Sequence, residues 1–102
     1  MANVKICGLN APAAVDAALD AGADWLGFII FPKSPRAVSV EQAGALSAPA
    51  RGRARRVAVL VDPSEPLLAE VARTMDPDII QLHGEESPAR CHDARAYARE
   101  GV

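Results

Sequence analysis

The sequence predicts an α/β fold built on a parallel sheet, and three observations predict it. Short, nearly continuous apolar runs recur along the 102 residues. Each is followed by an amphipathic or alanine-rich segment, and polar residues collect where the apolar runs end. Strands covered on both faces read as continuous apolar runs rather than as strict alternation. Their alternation with helical segments is the pattern of successive βαβ units.

The first strand is expected over residues 4–7. The helix after it has Val15, Ala18, Leu19 and Gly22 at i, i+3, i+4 and i+7, a stripe that can lie on the sheet while Asp16 and Asp20 face water. The second strand is expected over 25–31. It is the longest apolar run, and it falls far short of the roughly 20 residues that cross a bilayer. Ser39 and Gln42 have the spacing of a capping box, which satisfies otherwise orphaned amides at the start of a second helix. The basic run at 51–56 reads as a solvated loop entering the third strand, residues 57–61. Ser64 is expected to start the third helix, with the stripe Leu68, Val71, Ala72 and Met75. A fourth strand over 79–82 follows. Ser87 and Pro88 then begin a fourth helix, because proline fits a first turn where its missing N–H costs nothing, and Gly101 ends it. No low-complexity linker divides the chain, so one domain over 1–102 is expected.

A formal charge of -2 provides no positive field that would gather nucleic acid or an anionic membrane. Cys7 and Cys91 do not make a disulfide framework, and the first residues lack the basic-then-apolar pattern of a secretory signal. A soluble, cytoplasmic protein is the expectation. Cys7, His83, Cys91 and His92 include no C-x2-C pair, so no metal is expected. Neither a P-loop nor a dinucleotide-binding glycine fingerprint is present.

In a parallel α/β sheet, functional groups gather at the carboxyl ends of the strands, where the loops surround one crevice. Four polar clusters occupy such places here: Cys7-Gly8, the segment from Pro32 to Arg36, Asp62, and Gln81 to Gly84. Side chains alternate along a strand, so Lys5 and Cys7 share one face, as do Gln81 and His83. Val4, Ile6, Ile80 and Leu82 fall on the other, suited to helices. Each polar residue also has a plainer reading. A buried cysteine is usually inert, His83 can satisfy a backbone group, and Arg36 can sit in a solvated turn.

Taken together, five segments resemble phosphoribosylanthranilate isomerase. They are Val4-Lys5-Ile6-Cys7-Gly8-Leu9, Gly22-Ala23-Asp24 leading into Leu26-Gly27-Phe28-Ile29-Ile30-Phe31, Ser34-Pro35-Arg36, Val59-Leu60-Val61-Asp62-Pro63, and Gln81-Leu82-His83-Gly84-Glu85. The resemblance implies a parallel (β/α)4 half of a TIM (β/α)8 barrel. It also implies an Amadori rearrangement of N-(5-phosphoribosyl)anthranilate in tryptophan biosynthesis, with no cofactor or metal. By the same resemblance Cys7 is the general base, Arg36 holds the anthranilate carboxylate, and Gln81 and His83 line the pocket. An unperturbed thiol is mostly protonated at neutral pH. Lys5, on the face of Cys7, is therefore the candidate for stabilising the thiolate and for contacting substrate.

The resemblance also calls for an aspartic acid on a later strand and a glycine-rich phosphate grip, and neither precedes Val102. A barrel of this kind typically takes about 250 residues, so the chain reads as truncated before a fifth strand. The chain alone is expected to be inactive and to self-associate or pair with a C-terminal half, because an open half leaves its inner face and edges uncovered. The competing readings are a half-barrel fragment or assembly module without turnover, and the neighbouring indole-glycerol-phosphate synthase. Against the latter, the K-I-C-G segment supplies a thiol base rather than a catalytic lysine.

Overall fold

A computed structural model describes residues 4–31 and 33–82. In chain order these form β1 (Lys5–Cys7), α1 (Pro12–Asp20), β2 (Trp25–Ile29), α2 (Val40–Ser47), a 3-10 turn (Ala48–Ala50), β3 (Arg55–Leu60), α3 (Glu65–Thr74) and β4 (Ile79–Leu82). The strands lie in the order β1-β2-β3-β4, and every pairing is parallel. Each helix is thus a crossover that delivers the chain to the next place in the sheet, pointing the same way. The fold is the expected α/β half-barrel. The expected fourth helix, with Ser87, Pro88 and Gly101, lies outside the described residues, as do His83, Cys91 and His92.

Local chemistry sets the helix ends. Ser39 Oγ accepts from Gln42 N at 3.1 Å while Gln42 Oε1 accepts from Ser39 N at 2.9 Å, the capping box expected there. Ser64 Oγ accepts from Leu67 N at 3.2 Å and starts α3. The end of α1 differs from expectation. Gly22 is not on the buried stripe; it turns with φ +81 and is exposed. Ala23 N donates to Ala18 O at 3.1 Å and Gly22 N to Leu19 O at 3.0 Å, the paired bonds of a Schellman stop that a left-handed glycine permits.

The helices cover one face of the sheet. Leu26, Phe28, Leu60 and Ile80 are fully buried there against Val15, Ala43, Leu68 and Val71. Val4, expected on that face, instead lies just before β1 and is 48% exposed. Its backbone still serves the sheet, because Asp24 Oδ2 accepts from Val4 N at 2.9 Å. No helix of the described residues is long and apolar enough to cross a membrane.

The basic run is not one solvated loop. Strand β3 begins two residues before the apolar run and takes in Arg55 and Arg56. Arg55 stays exposed on the inner face and stacks over the Trp25 ring, 5.2 Å from its centroid. Arg56 faces the helices and is only 1% exposed. Its guanidinium donates to Met75 O at 2.7 Å, to Asp76 O, and to Ser47 Oγ at 3.2 Å. Carbonyls at the end of α3 need donors, and a cation suits the negative end of a helix. That is why a charged residue is tolerated there.

Candidate functional site

The parallel register decides which side chains share the face away from the helices. Lys5, Trp25 and Arg55 stand in one row; Cys7, Gly27, Val57 and Ile79 in the next; Ile29, Val59 and Gln81 in the third. This inner face is more apolar than the sequence suggested, since four aliphatic side chains and a tryptophan accompany the polar groups. The outer strands of a flat four-stranded sheet would lie about 14 Å apart, three spacings of roughly 4.8 Å. Nevertheless Lys5 Nζ of β1 donates to Gln81 Oε1 of β4. The sheet is therefore curled toward this face. The two residues stand two rows apart in register, as expected where strands tilt and each step round a barrel shifts the level by about one residue.

Cys7 is the free thiol of this face and is exposed. Two glycines make room around it. A Cβ on Gly27 would stand 2.9 Å from Cys7 Sγ and 3.3 Å from Cys7 Cα, so the bare backbone of β2 is what lets the thiol lie across it. Past the thiol, Gly8 has φ +82, and Gly8 N donates to Gly27 O at 3.0 Å. A Cβ on Gly8 would meet Arg36 Cδ at 2.7 Å and Arg36 Nη1 at 2.9 Å. The Arg36 side chain thus crosses the residue next to Cys7.

Arg36 arrives there by two tight turns. Ser34 N donates to Phe31 O at 2.9 Å, Ala37 N to Ser34 O at 3.1 Å, and Arg36 N to Ser34 Oγ at 3.2 Å. Val38 N then returns to Ile29 O at 2.9 Å, tying the loop to β2. A concavity of about 270 Å³ opens between this loop and the sheet, lined by Cys7, Ile29, Phe31, Ser34, Val59, Val61 and Gln81. Its walls are mostly aliphatic and aromatic, with a thiol, a hydroxyl and an amide among them. Such a hollow suits a planar apolar group whose polar substituents reach its rim.

Cys7, Gln81 and Lys5 are thus brought together on one face, with Arg36 beside them. His83 lies outside the described residues. Asp62 follows β3 with a left-handed φ of 43 and is exposed. Sequence reasoning did not find the roles of Gly8, Gly27 and the apolar wall. A glycine inside an apolar strand run was the available signal for Gly27, because it often marks close approach of another group. Period-two alternation within the runs was the signal for Ile29 and Val59.

A family profile described as N-(5'-phosphoribosyl)anthranilate (PRA) isomerase matches residues 4–99. The N-(5'-phosphoribosyl)anthranilate isomerase of Rhizobium leguminosarum bv. trifolii (strain WSM2304) is 55% identical over 86 residues, which is 84% of this chain and 39% of that protein. The crystal structure of phosphoribosyl anthranilate isomerase from Thermotoga maritima superposes with a TM-score of 0.89 at 33% identity, covering 96% of this chain and 48% of that one. A crystal structure of phosphoribosyl anthranilate isomerase in complex with reduced 1-(o-carboxyphenylamino)-1-deoxyribulose 5-phosphate gives the same TM-score and identity, and 50% of it is covered. The chain therefore spans about two-fifths of the curated relative and about half of the solved chains.

Proposed function

Because the chain belongs to the N-(5'-phosphoribosyl)anthranilate isomerase family, we propose that it carries the thiol-bearing half of an isomerase site that converts N-(5-phosphoribosyl)anthranilate to 1-(2-carboxyphenylamino)-1-deoxyribulose 5-phosphate in tryptophan biosynthesis. What supports the reading most is one arrangement. Cys7 and Gln81 line a single concavity, and the Arg36 guanidinium crosses Gly8 at its edge.

The aromatic ring of the substrate lies against Ile29, Phe31 and Val59, and its carboxylate meets Arg36, whose planar fork can grip both oxygens. Opening of the furanose, with a proton added to the ring oxygen as its bond to C1 breaks, leaves a protonated imine at C1. The Cys7 thiolate takes the proton from C2, and the electron pair moves to form the C1–C2 enolamine. Protonation at C1, with loss of the proton from the C2 hydroxyl as its oxygen becomes the carbonyl, then gives the ketose. Substrate and product are isomers, so no oxidant or reductant enters. The acid that opens the ring and the grip on the phosphate belong to a completing half, which would cover the inner face and the edges of β1 and β4. His83 is proposed to line the same pocket, Lys5 to bear on Cys7 and the substrate, and the location to be cytoplasmic.

The test is an isomerase assay, followed by anthranilate fluorescence, on the chain alone and on the chain mixed with the C-terminal half of the Rhizobium relative. The expected result is silence from the chain alone and turnover in the mixture, reduced by about 10²- to 10⁴-fold when Cys7→Ser is used, the usual contribution of a positioned base. Turnover unaffected by Cys7→Ser would refute the reading. Silence from a folded mixture would leave a half-barrel without turnover.

A further inference from the structure

Lys5 and Gln81 leave the two outer strands of the described sheet and meet over its inner face, Lys5 Nζ donating to Gln81 Oε1. An ammonium has only donors, whereas a carboxamide has an oxygen that accepts and an NH2 that donates. The contact therefore sets which way the amide faces. Gln81 also lines the concavity that holds Cys7. We infer that Lys5 is a positioning residue: it holds the Gln81 oxygen on its ammonium, so that the group Gln81 offers to a ligand beside Cys7 is the NH2 donor.

This changes what the site can recognise. A freely rotating amide would present either end and would tolerate a donor or an acceptor. Held by Lys5, Gln81 asks for an oxygen acceptor: a hydroxyl, a carbonyl or an anionic oxygen. Arg36 at the rim likewise only donates, and no residue of the described concavity wall is a carboxylate. Negative charge that develops on a ligand oxygen near the thiol is thus met by donors alone, and one of them, the Gln81 NH2, is already oriented, so that this dipole does not have to turn. Which oxygen of the substrate is met rests on the isomerase reading. The orientation of the amide does not.

The test is nitrogen-15 relaxation of side-chain amides in the 102-residue chain. Gln42 and Gln81 are its only glutamines, and Gln42, held in the α2 capping box, is an internal control. The Gln81 amide is expected to be ordered in the unsubstituted chain. In Lys5→Met its order parameter is expected to fall below about 0.6, the range of flexible groups; in Lys5→Arg it recovers, and Gln42 is unchanged throughout. Nuclear Overhauser contacts in the unsubstituted chain are expected to run from the Gln81 NH2 to the methyls of Ile29 and Val59. Equal order in the unsubstituted chain and Lys5→Met would overturn the inference, and so would NH2 contacts to the Lys5 methylenes instead. The Overhauser measurement needs no substitution and decides the matter even if Lys5→Met does not fold. Neither reads turnover, so failure here is distinguishable from failure of the isomerase reading.

Discussion

Replacing Arg56 with methionine keeps an unbranched apolar stem and removes the guanidinium. Two carbonyls at the end of α3, those of Met75 and Asp76, then lose their donor in a place where Arg56 is 1% exposed. A buried group left without its partner costs about 1–3 kcal/mol, so the pair costs about 2–6 kcal/mol. Two effects offset part of this. The guanidinium no longer has to be desolvated, and Asp78, which also accepts from Arg56 N at 2.9 Å and has 18% of its side chain exposed, can turn to water. The net loss should be about 3 kcal/mol. A chain of this size has a total stability of roughly 5–15 kcal/mol, so the loss is a large part of it. Urea unfolding followed by the fluorescence of Trp25, the one tryptophan, measures it. At an m-value of about 1–1.5 kcal/mol per molar, the midpoint should fall by about 2–3 M. Arg51→Ala is the matched control. It removes an ion pair to Asp76 of 3.5 Å in which both side chains are about half exposed, which contributes at most about 1 kcal/mol. If Arg56→Met proves no more costly than Arg51→Ala, the helix-end role of Arg56 is wrong.

Gly27→Ala sets a methyl against Cys7 Sγ and Cα, and overpacking of this kind costs about 1–3 kcal/mol. Alkylation of Cys7, read by peptide mass, should also slow several-fold, and an unchanged rate would show that the thiol does not lie across β2. Gly8→Ala meets both a left-handed φ and the Arg36 side chain; it should cost about 1–2 kcal/mol by strain alone and, in the complemented isomerase assay, raise KM more than it lowers kcat. An effect on kcat alone would separate Arg36 from carboxylate binding.

The parts of the fold legible in the sequence are those fixed by local chemistry. Ser39 with Gln42, and Ser64 ahead of an apolar stripe, announce helix starts because the hydrogen bonds that cap a helix are made within four residues. The apolar runs announce buried strands for a similar reason: a strand covered on both faces has nowhere to place charge. What the local pattern misread depends on partners far along the chain. Arg56 looks like loop because an arginine is seldom buried, and only the end of α3, about 20 residues on, makes it affordable. Gly22 fits a helical period, yet the period says nothing of a left-handed stop.

The site divides along the same line. Cys7, Arg36 and Gln81 could be picked out because they sit near or just past the carboxyl ends of strands, which converge in a parallel sheet, and Lys5 because alternation puts it on the face of Cys7. Their mutual arrangement could not be, because it depends on the curl that brings Lys5 of β1 to Gln81 of β4 and on the space that two glycines leave open. A sheet with the same residues but a side chain at Gly27 would put its thiol elsewhere, and one with a side chain at Gly8 would push Arg36 off its path. The two faces of the sheet therefore answer to different demands. The helix side is filled by shape, so the cost of changing it is read in stability; the inner side is defined by what is absent, at Gly8 and Gly27. Substitutions there should reach thiol reactivity and ligand affinity through the Cys7 and Arg36 side chains they displace.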